Sequence, residues 1–250
     1  MLPLSRTIMR IDVYLFENGF TRSRTEAKTL IDEGVVYING AVVRKASLDV
    51  PNSASVEVKR NRASYVSRGG YKLEAALSAF GIDPCDQKCL DIGASSGGFT
   101  DCLLRNGASF VTAVDSGTMQ LADVLRSDSR VFVMENTNAR YLTPDMISYV
   151  PTLAVMDVSF ISATYLLESV SSILSDGGDF ICLIKPQFEV GKKGLGKHGI
   201  IRDEKYRKAA CDKVTASAEA VGFLLIDLIE SPIVGGDGNV EYLAHFKKQN

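Results

Sequence analysis

The spacing of apolar positions changes character along the chain. Over Ile11–Glu17 they fall at helical spacing, and Gly19 closes the segment. Thr25–Glu33 places Ala27, Leu30 and Ile31 on one face, with Thr21 or Ser23 available as a cap and Gly34 as the stop. Val35–Ile38, Asn39-Gly40 and Ala41–Val43 then form a hairpin pattern, and Val56–Val58 adds a short strand. Leu73, Ala76, Leu77 and Phe80 return to the i, i+3, i+4, i+7 spacing and predict a helix over Gly69–Gly81.

From Lys88 onward, apolar runs of strand length alternate with helical patterns. The runs are Cys89–Ile92, Phe110–Val114, Val131–Met134, Leu153–Met156 and Phe180–Ile184. The helical patterns are Gly97–Arg105, Met119–Leu125 and Ser162–Leu174. Lys205–Val221 reads as a last helix, with Phe223–Ile229 and Val240–Phe246 as closing strands. Such alternation predicts an α/β fold, a Rossmann-like doubly wound parallel sheet with its crevice at the carboxyl ends of the strands. The expected division is a small α+β domain over 1–59, a polar linker over 60–67 whose Tyr65-Val66 packs onto a domain, and the α/β domain over 68–250.

Composition narrows the class. No apolar run reaches the roughly 20 residues of a membrane helix, and the first residues lack a secretory pattern, so a cytoplasmic protein is expected. Five scattered cysteines (Cys85, Cys89, Cys102, Cys182, Cys211) and two histidines argue against a disulfide framework or a metal site. Charge is unevenly distributed: residues 1–68 hold 11 Lys+Arg against 7 Asp+Glu, whereas residues 69–250 hold 17 against 23. A basic N-terminal module on an acidic body points to an anionic partner handled by the N-terminus.

Cys89–Thr100, CLDIGASSGGFT, joins a strand to a helix through a glycine-rich turn. Glycines admit close backbone approach, and the helix start offers free N–H groups. The spacing G-x-x-x-G-G is neither the dinucleotide fingerprint nor a P-loop. A nucleoside without a pyrophosphate fits, and S-adenosylmethionine is the commonest such cofactor. The expected contacts are Asp91, Gly93, Ala94, Ser95, Gly97, Gly98 and Phe99, joined by Asp115 after the second strand for ribose hydroxyls and Asn138 after the third for an adenine edge. A turn-forming role explains Asn138 nearly as well.

Asp157 and Lys185 close the fourth and fifth strands and point into one crevice, where an unpaired cation would pay a desolvation cost. Asp157-Val-Ser-Phe160 lacks the Asn/Asp-Pro-Pro-aromatic run of amino-group methylation, and no strand-end cysteine serves cytosine methylation. Ribose oxygen methylation remains, a reaction in which a weakly acidic hydroxyl must lose its proton.

Two resemblances sharpen this. Arg10-Ile-Asp12, Ser23-Arg24, Ala27, Leu30-Ile31, Gly34, Val36-Tyr-Ile38-Asn39-Gly40 and Lys45-Ala-Ser47 resemble the S4 RNA-binding fold, which implies a basic face of Arg10, Arg22, Arg24, Lys28, Arg44 and Lys45 toward structured RNA. Over essentially its full length the chain resembles the TlyA group of ribosomal RNA methyltransferases, related to the FtsJ-type ribose methyltransferases. The motifs are Ser67-Arg-Gly-Gly-Tyr-Lys72-Leu, Asp91-Ile-Gly-Ala-Ser-Ser-Gly-Gly-Phe99, Asp157-Val-Ser-Phe-Ile161, Lys185-Pro-Gln-Phe-Glu189 and Gly238-Asn-Val-Glu-Tyr242. The resemblance implies a catalytic tetrad of Lys72, Asp157, Lys185 and Glu241, with Asp157 also approaching the methyl donor. It implies cytidine ribose 2′-hydroxyls of ribosomal RNA or a ribosomal subunit as substrate.

Gly191–Arg202 is expected to be either a mobile lid whose Lys192, Lys193 and Lys197 meet phosphates or a disordered surface loop, and Phe188 is expected to pack in the core or stack on a flipped base. The competing readings are a pore-forming haemolysin, a label relatives of the group carry, and an S4 assembly factor without catalysis.

Overall fold

The computed structural model describes residues 9–21, 23–32, 34–51, 54–58, 64–191, 194–196 and 199–249. The chain divides into two compact units, Met1–Ser64 and Tyr65–Asn250.

In the first unit, β1 (Met9–Arg10) pairs antiparallel with β4 (Asp49–Val50). Helices α1 (Ile11–Glu17) and α2 (Arg24–Asp32) pack beside a three-stranded antiparallel sheet of β2 (Val36–Ile38), β3 (Ala41–Val42) and β5 (Val56–Val58). Ser23 caps α2, accepting from Glu26 N–H at 3.1 Å. The Asn39-Gly40 turn has positive φ at both residues, the hand a two-residue hairpin requires. Ile11, Leu15, Ala27, Leu30, Ile31, Val36, Val43 and Val50 form its core.

The second unit is an α/β sandwich. Its strands are β6 (Lys88–Ile92), β7 (Phe110–Val114), β8 (Val131–Met134), β9 (Leu153–Met156), β10 (Asp179–Ile184), β11 (Phe223–Glu230) and β12 (Tyr242–Lys248). They lie in the order β11-β12-β10-β9-β6-β7-β8. The five from β8 to β10 are parallel, whereas β12 runs antiparallel to both β10 and β11. The sheet is therefore mixed, not wholly parallel. The loop of residues 231–241 after β11 carries the chain back beside it, with no crossover helix to enforce parallel pairing.

Alternation along each strand feeds two cores. Leu90, Ile92, Phe180 and Cys182 face one cluster, and Cys89, Val111, Val155 and Ile181 face the other. The helices are α3 (Gly69–Phe80), α4 (Gly98–Arg105), α5 (Asp123–Arg126), α6 (Leu167–Ile173), α7 (Pro186–Glu189) and α8 (Glu204–Glu219).

Three expected elements differ. The helix over Met119–Leu125 shrinks to α5, because the carboxylate of Glu135 takes the N–H groups of Met119, Gln120 and Leu121 at 2.8, 2.8 and 3.0 Å and Met119 adopts φ +54°. The helix over Ser162–Leu174 splits into a 3-10 turn at Ala163–Tyr165 and α6, with Glu189 taking the Ala163 N–H at 2.7 Å. The last strand begins at Tyr242, so Glu241 stands just before it.

Candidate functional site

At the carboxyl ends of the parallel strands lies a cavity of about 550 Å³, within the range of small-molecule sites. Its lining includes Gly93, Ser95, Asp115, Asn138 and Asp157, five of the expected cofactor contacts. Gly93, with φ +82°, passes so close to Asp157 that an added Cβ would sit 2.3 Å from the Asp157 carbonyl oxygen. Only glycine fits there, and the turn stays open as a cradle.

Asp115 spans that turn. Its carboxylate accepts from Ser95 N–H at 2.8 Å and Gly117 N–H at 2.7 Å, so it fixes the loop as well as facing the cavity. Asn138 caps a 3-10 turn, accepting from Arg140 N–H at 3.0 Å, and its amide borders the cavity.

Asp91 does not line the cavity; it is buried beneath the turn. Thr100 Oγ1 donates to its Oδ2 at 2.6 Å, while Oδ1 has no hydrogen-bond partner. Burial pushes its pKa up to about 7, against the Thr100 hydrogen bond and aided by the charges of Asp157 and Asp115. Ala94, Gly97, Gly98 and Phe99 are likewise absent from the lining. Gly97 lies under Leu121 and Leu125, Gly98 lies against Ser67 and Gly70, and Phe99 is in the core. These four pack the turn against its neighbouring helices.

The four charged residues form two pairs. Lys185 Nζ lies 2.5 Å from Asp157 Oδ1 and donates to Ser159 Oγ at 2.7 Å. Lys72, in the second turn of α3, is ion-paired to Glu241, with side chains 10% and 3% exposed. The register of β10 and β12 relates the pairs. Their ladder ends with Ile184 opposite Tyr242, and Lys185 and Glu241 are the next residues on the two segments. Asp157, in turn, follows Met156, whose partners on either side are Cys182 and Ile92.

Residues 65–248 match the model of the FtsJ-like methyltransferase, and residues 9–54 match the S4 domain. The chain belongs to the FtsJ-like methyltransferase family. The 16S/23S rRNA (cytidine-2′-O)-methyltransferase TlyA of Mycobacterium tuberculosis is 42% identical over 96% of this chain and 90% of its own. Hemolysin A of Brachyspira hyodysenteriae is 42% identical over 95% of this chain and 99% of its own. A solved structure from Streptococcus thermophilus superposes with TM-score 0.78 at 41% identity, covering 98% of this chain and 90% of that one. Among the described residues no helix is long and apolar enough to cross a membrane.

In the S4 unit, Arg10, Arg24, Lys28 and Lys45 line a second cavity of about 660 Å³ together with Asp12, Thr25, Ala46 and Ser47. Arg44 is not among them; its guanidinium lies over Gly34. Arg22, Lys192, Lys193 and Lys197 lie outside the described residues.

Several residues of the methyltransferase unit make contacts that the sequence did not announce. Phe160 lines the cavity, is 92% exposed and holds φ +65°, a conformation that costs a bulky residue of order 1–3 kcal/mol. Phe188 is half-buried and packs on it, ring centroids 5.3 Å apart, so its place is the rim and not the core. Glu189 anchors this rim, accepting from Ser162 Oγ at 2.5 Å and Lys213 Nζ at 3.2 Å. A Cβ at Gly235 would sit 2.4 Å from Glu241 Oε1, so that loop closes over the carboxylate. Phe160, Phe188 and Glu189 stand inside the motifs that carry the resemblance, but no spacing announces these contacts, because each depends on a partner distant in sequence.

Proposed function

We propose that this protein transfers a methyl group from S-adenosylmethionine to the 2′-hydroxyl of cytidines in ribosomal RNA. The observation that carries the reading is the Lys185–Asp157 pair beside the glycine cradle, with the Lys72–Glu241 pair just past the last rung of the β10–β12 ladder that also leads to Lys185. The cradle at Gly93, the carboxylate of Asp115 and the cavity volume fit S-adenosylmethionine, whose sulfonium supplies an electrophilic methyl group. Gly93, Ser95, Asp115, Asn138 and Asp157 would hold it.

Lys185 is the group for the 2′-oxygen. Its ammonium, oriented by Asp157 and Ser159, would stabilise the developing oxyanion while the Asp157 carboxylate takes up the hydroxyl proton; S-adenosylmethionine, when bound, would supply the methyl group and leave as the neutral thioether. Lys72 and Glu241 are charge-balanced, so they add a fixed local field without an uncompensated buried charge. Phe160 and Phe188 offer an aromatic face at the rim on which a nucleobase can stack. Arg10, Arg24, Lys28 and Lys45 meet RNA phosphates, which sets position without reading sequence.

The test is transfer of labelled methyl groups to ribosomal RNA lacking the modification. Lys185→Ala is expected to lower the rate by about a thousand-fold with S-adenosylmethionine affinity retained. Undiminished transfer removes Lys185 from the chemistry. RNA binding without transfer by the wild-type protein favours an S4 assembly factor instead. Vesicle leakage without methylation would favour the pore reading, which rests on the name of a relative.

A further inference from the structure

The four cations of the S4-unit cavity are not equivalent. Arg10 and Arg24 both end on one carboxylate, that of Asp12 in the first turn of α1. Arg10 donates through Nε to Oδ1 at 3.0 Å and through Nη2 to Oδ2 at 3.2 Å. Arg24, the first residue of α2, donates through Nε and Nη2 to Oδ2 at 3.3 and 2.7 Å. The Asp12 side chain is only 7% exposed, whereas those of Arg10 and Arg24 are 48% and 56% exposed. Each guanidinium therefore spends one edge on a buried anchor and keeps its Nη1 edge free of these bonds.

A carboxylate on a surface that meets phosphates weakens the attraction by Coulomb's law. Its presence calls for a compensating gain, and geometry supplies one. Arginine loses much side-chain freedom when it grips a ligand, so a fork already held in place loses less. We propose that Asp12 is a positioning residue for RNA binding: it clamps Arg10 and Arg24 into a preformed clasp for a backbone phosphate. This rests on the reading of the S4 unit as the RNA-binding part of the protein. Burial alone would raise the Asp12 pKa, but the hydrogen bonds from Arg24 and Arg10 outweigh it and hold the carboxyl below its ordinary range. The anchor thus stays ionised at neutral pH.

Positioning and bulk electrostatics predict opposite signs, and full-length protein binding to in-vitro-transcribed 23S ribosomal RNA between 50 and 200 mM salt separates them. Asp12→Asn removes a negative charge yet is expected to weaken binding by about tenfold, with the salt slope shallower by about one to two as phosphate contacts loosen. Arg24→Lys keeps the charge, loses the fork, and is expected to weaken binding several-fold. S-adenosylmethionine affinity should stay unchanged in both.

Equal or tighter binding by Asp12→Asn at an unchanged slope, while Arg24→Gln weakens binding, overturns the clasp and leaves RNA binding by the S4 unit standing. No effect of Arg24→Gln overturns both. Should Asp12→Asn unfold the unit, Arg24→Lys on a half-exposed side chain decides the matter: wild-type affinity overturns the clasp.

Discussion

The two units use charge in opposite ways. Around the S4-unit cavity stand four cations and one buried carboxylate, Asp12, which holds only Arg10 and Arg24, both about half exposed. In the methyltransferase unit each lysine of the candidate site has its own carboxylate, and the lysine side chains are only 10% and 11% exposed. An exposed excess of positive charge suits long-range attraction of a polyanion, since hydration keeps each cation inexpensive. A buried balance suits chemistry, because low dielectric magnifies each interaction while pairing offsets desolvation.

Breaking the balance should cost far more than trimming the excess. After Lys185→Ala, the next largest effect is expected for Lys72→Met. It strands the Glu241 carboxylate and should destabilise the fold by about 3–5 kcal/mol, visible in denaturant melts. The double variant Lys72→Met/Glu241→Leu should recover most of that stability while methyl transfer stays lost. A double variant as unstable as the single one would show that the lysine matters for packing and not for charge.

Asp91 sharpens the comparison as a buried acid with no cation of its own. Its folded pKa of about 7 lies above the ordinary value of 3.8, so its contribution to stability is full below about pH 4 and is lost as pH rises through 7. Asp91→Asn does not titrate. Its stability relative to wild type is expected to grow from pH 4 to 7 by up to about 4 kcal/mol and then level off. Melting curves at pH 5 and 8 that differ equally for the two proteins would refute this.

Phe160→Gly should relieve the positive φ and stabilise the unit by about 1 kcal/mol, yet raise the KM for RNA about tenfold through lost stacking. A gain in stability with unchanged KM would make Phe160 a mere loop residue. The smallest effect belongs to the excess side: Lys28→Gln should weaken RNA binding only a few-fold and reduce the salt slope by about one.

Much of the fold was legible because period reports burial. Strands such as Leu153–Met156 are apolar throughout and lie buried on both faces, and the Asn39-Gly40 turn announces its hairpin. Met119–Leu125 misled because its apolar spacing suits a helix, while the acceptor for its N–H groups, Glu135, lies on the far side of β8. The glycine turn also carries packing that its spacing did not announce, for a related reason. Close backbone approach to a helix requires the same residue type as close approach to a cofactor, and Gly98 meets Gly70 and Ser67.

By itself, then, the sequence determined the α/β alternation, the S4-like module, the glycine cradle, and which acids and lysines terminate the strands, since these are local or periodic properties. Tertiary structure decided the rest. It set β12 antiparallel so that Glu241 and Lys185 both follow the last rung of the β10–β12 ladder, paired Lys72 with Glu241 across 169 positions of chain, left one oxygen of Asp91 without a hydrogen-bond partner among the described residues, and held two arginines on Asp12. Pairing and desolvation depend on what packs opposite a residue, and no spacing along the chain encodes that.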